Sequence, residues 1–488
     1  MLRLFNTLTR SKEVFRPISQ EIVCMYTCGI TAYYTAHIGN MRTYINEDIL
    51  KRVLLHRGYR VNHVQNITDV GHLASDAGEG DDKLRHEAEK EKKSMKEIAD
   101  MYTAIFTDDL NRLNVIMPNT MPKATDHIPE MLDLIAKLDR KGYLYKAENG
   151  IYFDTSKFAG YGELTGMSFE RLVSELREGA RVEKVAGKRN PTDFAVWRFA
   201  SGSEKECIWD SPFGRGFPGW HIECSAMSMK YLGKHFDIHC GGIDHIQIHH
   251  TNEIAQSEAA TGEKFVNYWV HNNFLVVDDK KMSKSLRSIY SVDHVMKMGY
   301  SAIALRFFLL SGHYRQTLNF TFEAMSNAEK TMRGIYQFLE RLASAPRAEK
   351  SADSRAFMAK IRVSVRMFFK SLDDDLNMPA ALAAMHGVIK DTNIRIAEGK
   401  LSRTEAACVI DGMMEMDEVL GLEFAKQIKK GEPKSASEIE ALINDRDAAR
   451  RAKDFAKADR IRTMLKQKFH VVVEDTESGS RWHEEQSQ

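Results

Sequence analysis

Residues 21–67 read EIVCMYTCGITAYYTAHIGNMRTYINEDILKRVLLHRGYRVNHVQNI. The opening run, 21–27, is apolar and predicts a buried strand. Cys28, Gly29, Ile30 and Thr31 are expected to form a loop leading to His37-Ile38-Gly39-Asn40. From residue 42 to 57, apolar residues recur at helical spacing (Tyr44, Ile45, Ile49, Val53, Leu54), and Gly58 ends that helix. Residues 61–67 predict a second strand. Strand, loop, helix and strand in this order predict an α/β fold with a Rossmann-type, doubly wound domain.

Outward from this unit, the chain of 488 residues corresponds to about three domains at roughly 150 residues each. A composition of 43% hydrophobic and 28% charged residues excludes a disordered chain. Lys plus Arg number 69 and Asp plus Glu 68, which argues against a globally basic DNA-coating protein and leaves room for a local basic patch. No apolar stretch reaches the ~18 residues of a membrane span, and residues 303–310 are interrupted by Arg306. Residues 1–10 alternate like a strand and hold no signal-peptide core, so a cytoplasmic chain is expected. Six cysteines make no disulfide framework; metal binding or redox chemistry is the expected use of those that matter.

The α/β pattern is interrupted and resumes. A helix is expected at 126–142, then short strands with turns at Asn149-Gly150 and 160–166. The pattern returns with a strand at 236–239, a helix at 249–261 and two strand-like runs within 266–277. The expected organisation is a catalytic domain in two halves, 1–125 and 206–262, around an inserted domain at 126–205. A linking fold at 263–317 and a helical bundle at 318–425 follow, the latter with helices at 322–343, 354–372, 379–398 and 402–420. Residues 426–437 (KQIKKGEPKSAS) read as a linker inside a last unit, 426–488, with a helix pair and a strand at 471–474. Residues 75–82 (SDAGEGDD) read as a solvated acidic loop.

Three groups of residues carry chemistry. His37 to Asn40 open a helix, where unpaired N–H groups and the positive dipole end suit phosphate; Gly39 permits close approach and His37 can donate to a phosphate oxygen. Lys281-Met282-Ser283-Lys284-Ser285 follows a strand, and its two lysines can wrap polyphosphate. Cys28, Cys224, His249 and Glu253 form a plausible metal set, since His249 and Glu253 stand one helical turn apart on one face. Cys24 and Cys240 compete on spacing alone, so spacing leaves the ligand set open.

His37–Asn40 and Lys281–Ser285, at opposite ends of one α/β domain, resemble the two signatures of class I aminoacyl-tRNA synthetases. Asn40 departs from the histidine of the best-known form; it can donate a hydrogen bond but cannot be cationic. The stretches 28–31 (CGIT), 219–227 (GWHIECSAM), 236–239 (FDIH), 249–256 (HHTNEIAQ), Tyr268-Trp269, 281–285 (KMSKS), 5–9 (FNTLT) and 189–197 are together similar to the cysteinyl-tRNA synthetase family over nearly the whole chain. Thr251 stands where many members carry Glu, outside the ligand positions.

The resemblance implies one zinc ion per chain held by Cys28, Cys224, His249 and Glu253, with ATP and Mg²⁺ in the reaction. It implies that His37, Asn40, Lys281 and Lys284 act on the phosphates, with Gly39 and Asp244 also at ATP. Trp220, His221 and His250 would line the cysteine pocket. The 281–285 loop would ride on the linking fold, and the last unit would bind the anticodon of tRNA(Cys). Residues 446–468 carry nine Lys/Arg against three Asp/Glu, a stripe suited to phosphates; Arg450, Phe455, Asp459 and Asp475 fall at tRNA positions. A monomer is implied. The rival expectation is a zinc- and ATP-dependent ligase joining cysteine to an amino sugar, which shares the catalytic half and tends to lack the last unit.

Overall fold

The computed structural model describes residues 1–70, 83–178, 185–200, 202, 206–281, 289–344, 352–431, 436–452, 454–469, 471–476 and 479–484. Four parallel strands form its central sheet, in the order Val266–Asn272, Phe236–Gly242, Ile22–Thr31, Arg60–Thr68. From Ile22–Thr31 the next strand in sequence lies on one side and the later pair on the other. The strand order therefore reverses between Ile22–Thr31 and Phe236–Gly242, and the crevice beyond the carboxyl ends at such a point is where ligands bind in open α/β sheets.

The first strand is longer than expected. Residues 28–31 belong to it and are not a loop. A register shift between Thr27 and Ile30 accommodates them, and a Cβ on Gly29 would lie 1.6 Å from the Asn66 carbonyl oxygen of the neighbouring strand. Only glycine lets the two backbones approach this closely. Gly29 N–H also donates to Asn66 Oδ1 at 2.9 Å.

The following helix starts at Ile38, four residues before its apolar periodicity begins, and runs to His56. His37 and Asn40 cap it reciprocally: Asn40 N–H donates to His37 Nδ1 (3.2 Å) and His37 N–H donates to Asn40 Oδ1 (3.1 Å). The helix is buried well beyond one stripe, because it is covered on more than one side. Arg42, fully buried, donates to the carbonyls of Asn273 (2.9 Å), Phe274 (2.5 Å), His313 (3.1 Å) and Gln316 (2.5 Å). Asp48 pairs with Arg52 and, at 2.6 Å, with Arg306. These contacts lock the helix to the chain that follows the last parallel strand.

The inserted region is an antiparallel sheet in the order Leu144–Ala147, Gly150–Phe153, Phe194–Phe199, Gly216–Pro218, packed with helix Ile128–Arg140. Its fourth strand ends at Pro218, past residue 205, and Gly219 then caps helix Trp220–Leu232. Beyond the parallel sheet, Leu275–Val277 pairs with Leu318–Phe320 and with the short strand Lys280–Lys281. At the start of the chain, Arg3–Asn6 and Ser11–Val14 form a hairpin.

Helices Phe322–Ser344, Ser354–Asp373, Met378–Ala397 and Arg403–Leu420 lie where the four helices are expected. Part of the expected linker is helical instead, as Phe424–Gly431, with an apolar flank supplied by Phe424 and Ile428. Helices Ala436–Arg451 and Phe455–Phe469 then lead to a hairpin, Val471–Thr476 with Gly479–Glu484. The chain divides into two compact units: residues 1–333, 359–388 and 412–422, and residues 334–358, 389–411 and 423–488. Among the described residues, no helix is long and apolar enough to cross a membrane.

Candidate active site

Four donors meet where the strand order reverses. Cys28 comes from the end of the central strand and Cys224 from the second turn of helix Trp220–Leu232. His249 and Glu253 share one face of helix His249–Thr261. One ligand atom from each lies within 4.8 Å of the others, and all four residues are buried. Cys24 and Cys240, rivals on spacing, take no part in this group. Glu253 Oε1 is 3.1 Å from His249 Nε2, an ion-pair contact, and accepts no well-aligned hydrogen bond among the described residues. The four residues together could hold a metal ion.

The charges in the cluster are strongly coupled. Burial, reinforced by Cys224, pushes the Cys28 thiol up. Its hydrogen bond to Cys224, aided by His249, brings the Cys224 thiol down to about 7 against burial. Burial alone would raise the Glu253 carboxyl, yet His239 and then His249 hold it down at about 2. Burial likewise opposes charge on His249, but Cys224 and Glu253 raise it well above the ordinary imidazole value. The Glu253 carboxylate is ionised and the Cys224 thiol is drawn toward its thiolate, while Cys28 and His249 hold protons that a bound cation would have to displace.

Further histidines surround the four donors: His221 and His250, expected at the cysteine pocket, and His239 and His271, which sequence reasoning passed over. His239 Nε2 lies 2.9 Å from Glu253 Oε2, and His250 Nε2 lies 3.3 Å from Cys28 Sγ. Cys28, His239, His250 and Glu253 form a second, overlapping group of potential ligand atoms. His221 Nδ1 sits 2.9 Å from His249 Nδ1. Trp220 stands over the cluster, its ring centroid 5.2 Å from that of His249. His239 lies midway along Phe236–Gly242, paired with Tyr26 of the Cys28 strand, and His271 near the end of the next strand out, Val266–Asn272; their partners depend on sheet register.

The expected phosphate group is placed in part. His37, Gly39 and Asn40 stand half-buried at the helix N-terminus. Capping consumes His37 Nδ1 and Asn40 Oδ1, which leaves His37 Nε2 and Asn40 Nδ2 for a ligand. Burial lowers the His37 pKa, so the ring is a neutral donor; the Asp244 charge pulls the other way, which puts that exposed carboxylate within electrostatic reach. The Lys281 backbone pairs with Val276. The Lys281 side chain and residues 282–288, with Lys284, lie outside the described residues.

In the C-terminal unit, Ile443, Ile461, Leu465 and Val473 form a small core. Arg450, Arg451, Lys457, Arg460, Arg462 and Lys466 are exposed on the helix pair, as is Asp459. Arg446 is buried at 2% exposure and leaves the expected stripe, because its position falls on the core side of the helix. Phe455 opens the second helix with 61% of its surface exposed, a large apolar ring facing solvent. The side chains of Asp475 and Lys468, and all of Lys453, lie outside the described residues.

The family of class I (C) tRNA synthetase catalytic domains matches residues 14–330, and the DALR domain family matches residues 367–425. The cysteine–tRNA ligase of Treponema denticola is 43% identical, with 99% of each chain covered. That of Brevibacillus brevis is 41% identical, also over 99% of each, and that of Thermococcus onnurineus 39%, over 99% of this chain and 98% of its own. Among solved structures, methionyl-tRNA synthetase of Mycobacterium tuberculosis superposes with a TM-score of 0.60 at 17% identity, covering 87% of this chain and 94% of that one; this likeness concerns the fold. With a family match across most of its catalytic half and relatives of this identity along its whole length, the chain belongs to the cysteinyl-tRNA synthetase family of class I tRNA synthetases.

Proposed function

We propose that this chain activates cysteine with ATP and transfers it to tRNA(Cys), and that a zinc ion held by Cys28, Cys224, His249 and Glu253 selects the substrate thiol. The observation that carries the metal assignment is the convergence of four buried donors, one ligand atom of each within 4.8 Å of the others, with no well-aligned hydrogen bond to Glu253 Oε1 among the described residues. Two sulfurs, an imidazole and a carboxylate suit zinc, which accepts both soft and hard ligands. Zinc, when bound, supplies affinity for a thiolate over an alcohol, a discrimination between cysteine and serine that an apolar pocket achieves only ~10²-fold.

The residues of the chain supply the rest. Trp220 walls the side chain of the substrate, and His221 orients His249 through its Nδ1 partner. The cysteine carboxylate attacks the α-phosphorus of ATP, and the bond to pyrophosphate breaks. His37 Nε2 and Asn40 Nδ2 donate to the α-phosphate at the helix N-terminus, where the peptide dipoles favour the growing negative charge. Asp244 accepts from the ribose hydroxyls, while Lys281 and Lys284 meet the leaving pyrophosphate, whose charge the Mg²⁺ accompanying ATP would help to neutralise. The tRNA terminal hydroxyl then attacks the acyl carbon and AMP departs.

The division of labour follows the expected segments. Residues 1–125 and 206–262 activate, 126–205 form the insertion, 263–317 carry the KMSKS loop, 318–425 form the bundle, and 426–488 read the anticodon. Arg450 and its basic neighbours hold phosphates, Phe455 stacks on a base, and Asp459 and Asp475 accept from base edges. The chain works as a cytoplasmic monomer, as the resemblance implies.

Metal analysis combined with cysteine-dependent ATP–pyrophosphate exchange tests this reading. About one zinc per chain, exchange with cysteine and little with serine, and charging of tRNA(Cys) are expected. Absence of both zinc and exchange overturns it. Exchange without tRNA charging would direct the reading to an amine acceptor such as an amino sugar.

A further inference from the structure

Six residues in the pocket offer ligand atoms in two overlapping groups of four that share Cys28 and Glu253, and the two outside the proposed zinc set each approach one of the shared members. His239 Nε2 approaches Glu253 Oε2 at 2.9 Å, and His250 Nε2 approaches Cys28 Sγ at 3.3 Å. His250 is not the end of its line. Its Nδ1 lies 2.8 Å from His271 Nε2, and His271 Nδ1 lies 2.7 Å from Thr7 Oγ1. Thr7 belongs to the turn of the N-terminal hairpin, anchored beside the last parallel strand by its own N–H to the Trp269 carbonyl at 2.9 Å. A single direction of donation satisfies every link. Thr7 O–H donates to His271 Nδ1, His271 Nε2–H to His250 Nδ1, and His250 Nε2–H to the Cys28 sulfur. Each imidazole then carries one proton and is neutral.

The rings are held in place by packing as well as by hydrogen bonds. His250 has the rings of His239, Trp269 and His271 around it, with centroids 4.4, 5.0 and 4.9 Å away. His239 stacks on Trp269 at 4.7 Å and 19°. A donor fixed this firmly delivers its hydrogen bond in one geometry.

We propose that Thr7, His271 and His250 form an oriented hydrogen-bond chain that positions the Cys28 sulfur and draws negative charge from it, and that His239 does the same for Glu253. The reason lies in charge. Two thiolates and a carboxylate place three negative charges around a divalent ion, and the substrate adds a fourth. Hydrogen bonds to ligand sulfur and oxygen reduce their donation, so the ion keeps an appetite for the incoming thiolate. His250 and His239 are thus positioning residues that tune cysteine affinity. The inference rests on the zinc reading above.

The test uses the full-length protein loaded with cobalt(II), whose thiolate charge-transfer band reports on the sulfur ligands without ATP or tRNA. Replacing His250→Leu removes the donor. The band should move to longer wavelength, and the dissociation constant for cysteine, read from the same spectrum, should rise roughly 10-fold. His250→Gln keeps an amide N–H near the Nε2 position and should restore both. His271→Leu and then Thr7→Val should give progressively smaller shifts of the same sign, and these variants serve if His250→Leu fails to fold. An unmoved band in His271→Leu and Thr7→Val overturns the chain. Loss of cobalt from both His250→Leu and His250→Gln overturns it differently, by making His250 a ligand in the second donor group. A wild-type protein with no thiolate–cobalt band would instead sink the zinc reading, which separates the two failures.

Discussion

The pocket at the carboxyl end of the parallel sheet and the helix pair at the C-terminus handle charge in opposite ways. In the pocket, Cys28, Cys224, His249 and Glu253 are buried, and most of their polar atoms meet protein partners. On the helix pair, Arg450, Lys457, Arg460 and Arg462 face solvent beside an exposed Phe455. A buried cluster acts through fixed distances, so losing one member disturbs the others. An exposed array acts through summed charge, so single losses are small, nearly independent and screened by salt. The contrast fits the proposed roles, recognition of a small substrate by the first region and of a long polyanion by the second.

The most direct way to break the comparison is Cys224→Ser. A structural zinc site is worth about 10–16 kcal/mol in all, and one of four ligands then accounts for roughly 10²–10³ in metal affinity. Zinc content should fall accordingly, and cysteine-dependent exchange and tRNA charging should fall together. Full zinc with unchanged cysteine affinity would show that the ligand set is wrong.

A smaller effect separates two duties of one residue. Asn40 Oδ1 accepts from His37 N–H as part of the helix cap, while Nδ2 is left for phosphate. Asn40→Asp preserves the acceptor and removes the donor, placing a carboxylate where ATP would lie. The melting temperature should hold, since acidic groups are welcome at a helix N-terminus. ATP–pyrophosphate exchange should drop by roughly 10²-fold, as for other lost charge-stabilising donors. Equal exchange in the variant would reduce Asn40 to a cap.

Local patterns made the strand–helix–strand unit at 21–67 and the four bundle helices legible, because apolar spacing reflects burial directly. What escaped was set by distant chain. Residues 28–31 join the strand because Gly29 fits against Asn66, which no local pattern reveals. The helix begins at Ile38 because a histidine and an asparagine, an unusual pair, cap each other. Spacing left Cys24 and Cys240 in contention, and the fold removes them by bringing Cys28 and Cys224 to one helix-bound pair. His239 and His271 acquire partners only once strands pair in register; Phe236–Gly242 sets His239 beside Tyr26 on one side and Trp269 on the other. Resemblance located Lys284, which lies outside the described residues. Charge counting overstated the C-terminal stripe, since Arg446 is buried.

The remaining exposed charges give the gentlest test. Arg450, Lys457 and Arg460 are solvent-facing, so replacing all three with Gln removes charge with little expected loss of stability. If each meets a phosphate, the slope of log affinity for tRNA against log salt should flatten by roughly 0.7–0.9 per residue. The Michaelis constant for tRNA should rise about 10-fold at moderate ionic strength and approach that of the wild type at high salt, where screening has already cancelled the contacts. Cysteine-dependent ATP–pyrophosphate exchange should be unchanged, because the proposed division of labour gives these helices no part in activation. Unchanged charging at every salt concentration would remove tRNA from this surface. A matching fall in exchange would show that the two regions are not the separate instruments their opposite treatment of charge implies.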